Sequence, residues 1–327
     1  QTMHYIDFHC DTLMMFGRES GAAEAAPSLY QNDKSVDLVR MKAGGCAAQF
    51  FATFMPPKVH MQAQGIDDEV FRSRLYNGLM DTIREHADLI GFARNFEEYK
   101  ANRNAGRISA FLTFEDGRMV EGSHEKLAAF YDMGYRLISF TWNFPNCFGY
   151  PNSSDPQEMQ KGLTPFGMEA VEQMNRLGMI IDVSHLSDGG FYDVARTTQK
   201  PFVASHSNAR ALTPHQRNLT DDMIRLLAEK GGVMGINFAP EFIGETIHDT
   251  ASTVKRIGDH VQHIATIAGI ETVALGSDWD GIRGDLEVAS PLDIYKIFDE
   301  LSRRGFSDDA IEKFAHGNAE RILRDVL

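Results

Sequence analysis

The feature that most constrains this fold is a short, β-rich apolar run that recurs along the chain, followed by turn residues and then a helical pattern. Most of these runs are uninterrupted rather than alternating, which is typical of parallel strands that are covered on both faces. Strands that alternate with helices in this way predict a closed (β/α)8 TIM-like barrel, with a doubly wound open sheet as the alternative. The predicted strands are Tyr5–Phe8, Ala47–Phe54, Ile108–Phe114, Arg136–Thr141, Met179–Ser184, Pro201–Ser205, Gly232–Phe238 and Thr272–Ser277.

Several of the intervening helices have recognisable ends. Thr164 is an N-cap residue followed by Pro165 at the first helical position, and Gly178 ends the same helix. A further helix is predicted from Asp67 to about His86, with apolar residues at roughly helical spacing. No Pro/Ser-rich linker interrupts the chain, so we expect residues 1–327 to form a single domain.

Charge and composition exclude several classes of protein. The chain has 32 Lys and Arg against 46 Asp and Glu, a net charge of −14. This disfavours a nucleic-acid or anionic-membrane partner, since both need a basic face, and no run reaches the roughly 18 apolar residues of a membrane span. Three cysteines in a long chain and no visible signal pattern predict a cytoplasmic protein, although a chain that begins at Gln1 leaves room for a removed upstream segment.

Polar side chains of metal-ligand type end five of the predicted strands, and active sites of (β/α)8 barrels lie at the C-terminal ends of the strands. These residues are His9 and Asp11 on the first strand, Glu115 on the third, His185 on the fifth, His206 on the sixth and Asp278 on the eighth. Zinc and similar divalent ions take such nitrogen and oxygen ligands. Six groups exceed one tetrahedral site, so we expect one carboxylate to be shared between two ions about 3.5–4 Å apart, with a bridging water as the nucleophile.

A lone histidine at a strand end is more often packed or hydrogen-bonded than a metal ligand. Five strands that each end in a ligand-type residue are hard to explain in that way, and burying such groups unpaired is costly. We therefore favour a metal site at the mouth of the barrel. His260 and His263 lie in a helix far from any strand end, and we interpret them as surface residues.

The motifs at these strand ends resemble the renal (membrane) dipeptidase family of zinc peptidases, within the amidohydrolase superfamily. The block from Gly162 to Phe238 is long and specific, whereas the other motifs alone would be weak. The matching stretches span nearly the whole chain in order: Asp7–Thr12, Phe114–Gly117, Gly162–Gly167, Asn175–His185, Ala204–Arg210, Pro214–Asp221, Gly232–Phe238 and Gly276–Gly281.

The resemblance implies a metallo-dipeptidase with two Zn²⁺ ions per chain on a (β/α)8 barrel. His9 and Asp11 would hold one ion, His185 and His206 would hold the other, and Glu115 would bridge both. A metal-bridging hydroxide would attack the peptide bond of a small unblocked dipeptide. Family members often accept D-residues at the C-terminal position, and the resemblance extends that expectation to this chain.

The resemblance also implies residues that bind the substrate and move protons. Arg217 would take the terminal carboxylate, for which a planar bidentate donor fits better than a lysine. Asp278 would manage protons or hold the free amine, so Glu115 and Asp278 are the expected catalytic residues. Trp142 stands where several family members carry a histidine that helps to hold the substrate carbonyl. An indole donates one hydrogen bond but cannot titrate, so we expect Trp142 to shape the pocket, with Asn143 as the candidate replacement for the histidine.

Two other functions stay open at this stage. One is another amide or lactam hydrolase on the same scaffold, such as an acyl-amino-acid or β-lactam hydrolase, because nothing in the sequence specifies the amine side of the substrate. The other is a non-catalytic metal- or peptide-binding protein, against which the intact ligand set argues. The expected partner is a small dipeptide substrate, and the base rate for soluble oligomers favours a homodimer.

Overall fold

The computed structural model describes residues 3–19, 21 and 23–327, so that Gln1 and Thr2, where the predicted domain begins, lie outside the described residues. Its main sheet has nine strands, and eight of them form a closed ring, because β1 pairs with both β2 and β10 and β2 pairs in turn with β4. All pairings in this sheet are parallel. The predicted barrel is therefore confirmed, and the open-sheet alternative is wrong. The strands are β1 Tyr5–Cys10, β2 Cys46–Phe54, β3 Ile90–Phe92, β4 Ile108–Glu115, β5 Tyr135–Ser139, β6 Ile180–Asp182, β7 Val203–Ala204, β8 Val233–Ile236, β9 Ala251–Ser252, β10 Val273–Leu275 and β11 Asp285–Leu286.

Helices connect the strands, and the residues that cap them include those predicted from the sequence. Thr164 accepts a hydrogen bond from the backbone N–H of Gly167 at the start of α7, and Gly178 ends that helix in the left-handed conformation. Asp67 caps α3 in the same way. The helices are α1 Leu38–Gly44, α2 Lys58–Ala63, α3 Asp68–Glu85, α4 Phe96–Asn104, α5 His124–Met133, α6 Pro156–Met159, α7 Pro165–Leu177, α8 Asp188–Thr197, α9 Asp221–Glu229, α10 Pro240–Ile243, α11 Val254–Ala268, α12 Tyr295–Arg303, α13 Asp308–Glu312 and α14 Asn318–Val326.

Three short strands were not predicted. Strand β3 pairs with residues 108–110 of β4, whereas β5 pairs with residues 112–115 farther along the same strand. It therefore lies outside the closed ring. Strands β9 and β11 form a separate pair of two residues each. Runs of two or three residues carry too little pattern to be recognised, because strands are usually about 5–6 residues long.

The barrel interior is filled by apolar side chains. One buried cluster contains residues of all eight barrel strands together with residues of α14. Because side chains of all eight strands can meet only inside the barrel, this cluster fills the barrel interior. Phe50 of β2 and Phe111 of β4 are partners in the ladder and stack with ring centroids 4.8 Å apart. The packed interior leaves the ends of the strands as the place where polar groups can gather.

One prediction about a helix is wrong. His260 in α11 is fully buried rather than a surface residue. Its Nδ1 accepts a hydrogen bond from the backbone N–H of Ala209 at 3.1 Å, and its Nε2 lies 3.2 Å from the carbonyl oxygen of Ile243. These polar partners are distant from His260 in the sequence, and they allow a histidine to be buried on the inner face of the helix. Within the described ranges, no helix combines the length and the apolar composition needed to cross a bilayer.

Candidate active site

The six ligand-type residues that were predicted at the strand ends meet in the structure. His9 lies in β1 and Asp11 follows it, with His9 Nε2 3.2 Å from Asp11 Oδ2. Asp278 follows β10, and its Oδ1 lies 3.5 Å from the same nitrogen of His9. His185 and Asp278 are non-glycine residues with positive φ, 71° and 64°. This conformation costs about 1–3 kcal/mol each and is typical of functional sites.

Glu115 lies at the centre of the histidines. Its Oε2 is 3.3 Å from His9 Nε2, 3.3 Å from His185 Nε2 and 3.0 Å from His206 Nε2. The two imidazoles of His185 and His206 approach each other to 3.1 Å between their Nε2 atoms. The buried carboxylate at the end of β4 is thus the group that the histidines of three other strand ends share.

The donor atoms suit a cation. Two overlapping groups have ligand atoms all within 4.8 Å of one another: His9, Glu115 and His206 form one, and His9, Asp11 and Asp278 form the other. Asp11 Oδ1 is buried and has no hydrogen-bond partner among the described residues. An unpaired buried carboxylate oxygen is costly unless a cation or donor meets it.

His185 supplies a further argument that the site fits a metal. Its Nδ1 lies 3.1 Å from Oδ1 of Asn143. An amide oxygen only accepts, so Nδ1 carries the proton and Nε2 presents a lone pair. That lone pair faces Oε2 of Glu115, which is itself an acceptor. Two acceptors that face each other at this distance repel unless a proton or a metal ion lies between them.

Burial and the charges of neighbouring side chains shift the pKa values of these ligand-type residues. Burial raises the pKa of Glu115 to about 7 and that of Asp278 to about 8. Burial lowers the pKa of His185 and of His206 well below the usual value, so both are neutral imidazoles, the form that binds metal. For His9, burial by itself lowers the pKa, but the adjacent carboxylates outweigh it and hold the pKa well above its usual value.

Arg217 lies beside the metal-ligand cluster. Its Nη2 donates to the carbonyl oxygen of His206 at 2.9 Å, and its Nη1 donates to Oγ of Ser207 at 3.3 Å. Its Nε is buried and finds no acceptor in the part of the chain that the structure describes. A cavity of about 450 Å³ is lined by this guanidinium together with Asn143 and His185. The guanidinium on the wall of this cavity supplies a positive charge for an anionic group of a ligand.

Trp142 lies on the wall of a second cavity, of about 600 Å³, which also reaches Glu115 and Asp278. Its ring meets the ring of Phe54 edge-on, with centroids 4.9 Å apart, and lies 6.3 Å from the ring of His185. Asn143 points its amide oxygen at His185 rather than standing free. Trp142 therefore forms part of an aromatic wall next to the histidines.

Sequence reasoning missed two residues of this region. Asn237 donates from Nδ2 to Oδ2 of Asp278 at 3.0 Å and thereby orients that carboxylate. A signal was available, because Asn237 is the polar residue that follows the apolar run of β8. Glu241 lines both cavities. It follows Pro240 in a short helix, where no sequence pattern distinguishes it from a surface residue.

Known proteins that are similar to this chain include metal-dependent dipeptidases and members of their family. The family model described as membrane dipeptidase (peptidase family M19) matches residues 1–327. Dipeptidase aclJ of Aspergillus oryzae is 32% identical over 302 residues, which cover 89% of this chain and 70% of that protein. An uncharacterized dipeptidase of Schizosaccharomyces pombe is 36% identical over 255 residues, 75% of this chain and 61% of that protein.

A solved structure extends the comparison to three dimensions. It is a metallo peptidase from Rhodobacter sphaeroides, liganded with a phosphinate mimic of the dipeptide L-Ala-D-Ala. It is 26% identical in sequence and superposes on this chain with a TM-score of 0.90, covering 100% of both chains. The resemblance carried by the strand-end motifs is confirmed: the chain belongs to the membrane dipeptidase family and is a metallo-dipeptidase.

Proposed function

We propose that this chain is a binuclear zinc dipeptidase that cleaves small dipeptides with free amino and carboxyl ends. The observation that carries the proposal is the position of Glu115. One of its oxygens lies within 3.3 Å of the Nε2 atoms of three histidines. A carboxylate in that place is suited to serve two ions at once.

The residues divide into two sets around this carboxylate. His9 and Asp11 would hold one ion, His185 and His206 the other, and Glu115 would bridge them. Nitrogen and carboxylate ligands of this kind are those that zinc takes in hydrolases. When bound, two such ions would lower the pKa of a water molecule toward neutrality and polarise the scissile carbonyl.

The two ends of the substrate would be held by opposite charges. Arg217 would pair with the terminal carboxylate, since its guanidinium lines the smaller cavity next to His185. Asp278 would hold the free amine or pass a proton to the leaving amine, because burial raises its pKa to about 8 and Asn237 keeps its orientation.

The side chains of the substrate would lie in the two cavities. Trp142 and Phe54 form an aromatic wall in the larger one, where bulk favours small or flat side chains. The L-Ala-D-Ala mimic in the Rhodobacter sphaeroides structure supports tolerance of a D-residue at the C-terminal position. Asn143 would act by holding His185 rather than by touching the carbonyl.

The test is hydrolysis of matched substrates by the zinc-loaded protein, with metal content measured on the same sample. We expect L-Ala-L-Ala and L-Ala-D-Ala to be cleaved, and the N-acetylated and C-amidated forms of each to be poor substrates. Cleavage of N-acetyl-amino acids or β-lactams in preference to dipeptides would instead favour the acyl-amino-acid or lactam hydrolase. Full activity with a single ion per chain would contradict the binuclear site.

A further inference from the structure

A buried carboxylate that is not a ligand candidate lies behind His206. Asp182, at the end of β6, is fully buried, and its two oxygens receive four hydrogen bonds. Oδ1 accepts from the backbone N–H groups of Ser205, at 2.8 Å, and Ser184, at 3.1 Å. Oδ2 accepts from the hydroxyl of Ser205, at 2.5 Å, and from the hydroxyl of Ser139.

The hydroxyl of Ser205 also contacts a ligand candidate. Its Oγ lies 2.7 Å from Nδ1 of His206. A serine hydroxyl has one proton to donate, and this proton is directed at Oδ2 of Asp182. The other contact must then be donated by His206, so its Nδ1 carries the ring proton. The opposite nitrogen, Nε2, is left with a lone pair that faces Oε2 of Glu115 at 3.0 Å.

We infer that Asp182 and Ser205 are positioning residues that hold His206 in the tautomer with the proton on Nδ1. The arrangement keeps Nε2 free to bind a metal ion. Partners of this kind set the orientation and the basicity of metal-binding histidines, and their loss typically reduces metal affinity about 10–100-fold. The tautomer is inferred from the contacts of Ser205 with Nδ1 of His206 and with Asp182, whereas the effect on metal affinity rests on the proposed function.

The pair of hydrogen bonds from the backbone N–H and the hydroxyl of Ser205 to Asp182 forms a clamp between neighbouring strands. A second clamp of this kind shows that the arrangement does not require a histidine. Asp7 of β1 accepts from the backbone N–H and from the hydroxyl of Ser277, each at 2.7 Å. The residue after Ser277 is Asp278, which has no ring proton, and the Ser277 hydroxyl lies instead 3.1 Å from the carbonyl oxygen of His9. Both clamps join neighbouring strands, but only the clamp at Asp182 also controls a proton on an imidazole.

The substitution Asp182→Asn tests the direction of the hydrogen bonds. The two backbone N–H groups should keep the amide oxygen of the new side chain at the place of Oδ1. The amide nitrogen then faces the Ser205 hydroxyl and donates to it. The Ser205 hydroxyl no longer has to give its proton to residue 182 and is free to donate it to Nδ1 of His206. We expect the ring proton to move to Nε2, the nitrogen needed for the metal.

The measurement is nitrogen NMR of the ¹⁵N-histidine-labelled protein after removal of metal with a chelator, which reports the tautomer of each ring. We expect His206 to be protonated on Nδ1 in the native protein and on Nε2 in Asp182→Asn. Ser139→Ala is the matched control, because it removes a donor to the same carboxylate without touching an imidazole. It should leave the tautomer unchanged.

Zinc affinity, measured by competition with a chromophoric chelator, is the second readout. We expect about a 10–100-fold loss in Asp182→Asn and a much smaller change in Ser139→Ala. A native His206 protonated on Nε2 would overturn the inference, and this measurement needs no variant to fold. An equal loss of zinc affinity in the two variants would overturn it as well. A native protein that has the Nδ1 tautomer but binds no zinc would contradict the proposed function and leave the tautomer standing.

Discussion

Oε2 of Glu115 lies 3.0 Å from Nε2 of His206, although the two residues end different strands of the barrel. The same oxygen approaches the imidazoles that come from two further strand ends. The carboxylate is therefore placed where a loss of its charge affects all three histidines at once.

Glu115→Gln should lower the zinc content by more than one ion per chain, because a neutral amide cannot bridge two cations. Elemental analysis after dialysis measures this directly. Glu241→Gln is the matched control, since Glu241 lines the same cavity but belongs to neither metal-ligand group. Full metal content in Glu115→Gln would refute the bridging role.

Arg217→Leu should raise KM and lower kcat/KM for free dipeptides, by an amount equivalent to about 2–4 kcal/mol, because a buried charge-assisted contact is lost. Arg217→Lys should recover only part of this loss, since an ammonium keeps the charge without the planar fork. C-amidated dipeptides, which we expect to be poor substrates of the native enzyme, should lose little more in either variant. Equal hydrolysis of free and amidated dipeptides by the native protein would show that Arg217 has another role.

Trp142→Phe should keep most of kcat, whereas Trp142→Ala should widen the range of dipeptides that are accepted. The reason is that the ring forms a wall with Phe54, and a lone hydrogen-bond donor typically adds only about 10²–10³ in rate. Phe144→Ala is a control for nearby aromatic bulk, because its ring lies 6.0 Å from Trp142. If Trp142→Phe is slowed as severely as Glu115→Gln, the indole N–H is catalytic.

The buried histidine His260 should make stability depend on pH. Burial lowers its pKa to about 3, below the value of about 6.5 of an unfolded histidine. The unfolded chain therefore binds a proton that the folded chain excludes. The stability contribution is complete above about pH 6.5 and is lost as the pH falls toward 3, by up to about 1.4 kcal/mol per pH unit.

Urea unfolding of the chelator-treated native protein and of His260→Gln, at several values of pH, measures this effect. The glutamine cannot titrate, so the difference in unfolding free energy between the two proteins should narrow as the pH falls from 7 to 4. Chelation keeps metal release out of the comparison. A difference that stays constant over this range would show that His260 takes up a proton as readily in the folded protein as in the unfolded chain, and would contradict the lowered pKa.

Much of the site could be predicted from local sequence. Each ligand-type residue follows an apolar run, and in a parallel barrel the ends of such runs meet at one mouth. To predict that Glu115 and His206 lie at the mouth of the barrel, it is enough to know that each residue follows the apolar run of its own strand. The departure at Trp142 was equally visible, because it is a change of residue type at one place in a motif.

Other features depend on partners that are remote in the chain. The helical pattern around His260 fits a surface position as well as a buried one. The backbone groups of Ala209 and Ile243, which bind the ring, decide that it is buried. Strand β3 is recognised by its pairing with β4 rather than by its own three residues.

The sequence by itself determined which residue types end the strands and hence the class of chemistry at the mouth of the barrel. Only the tertiary structure decided which atoms approach each other and where the protons lie. The proton on His206 is controlled by Ser205 and Asp182, and the latter comes from the neighbouring strand. Which group donates there depends on a contact between residues that are 23 positions apart in the chain, and no periodicity along the chain encodes such a contact.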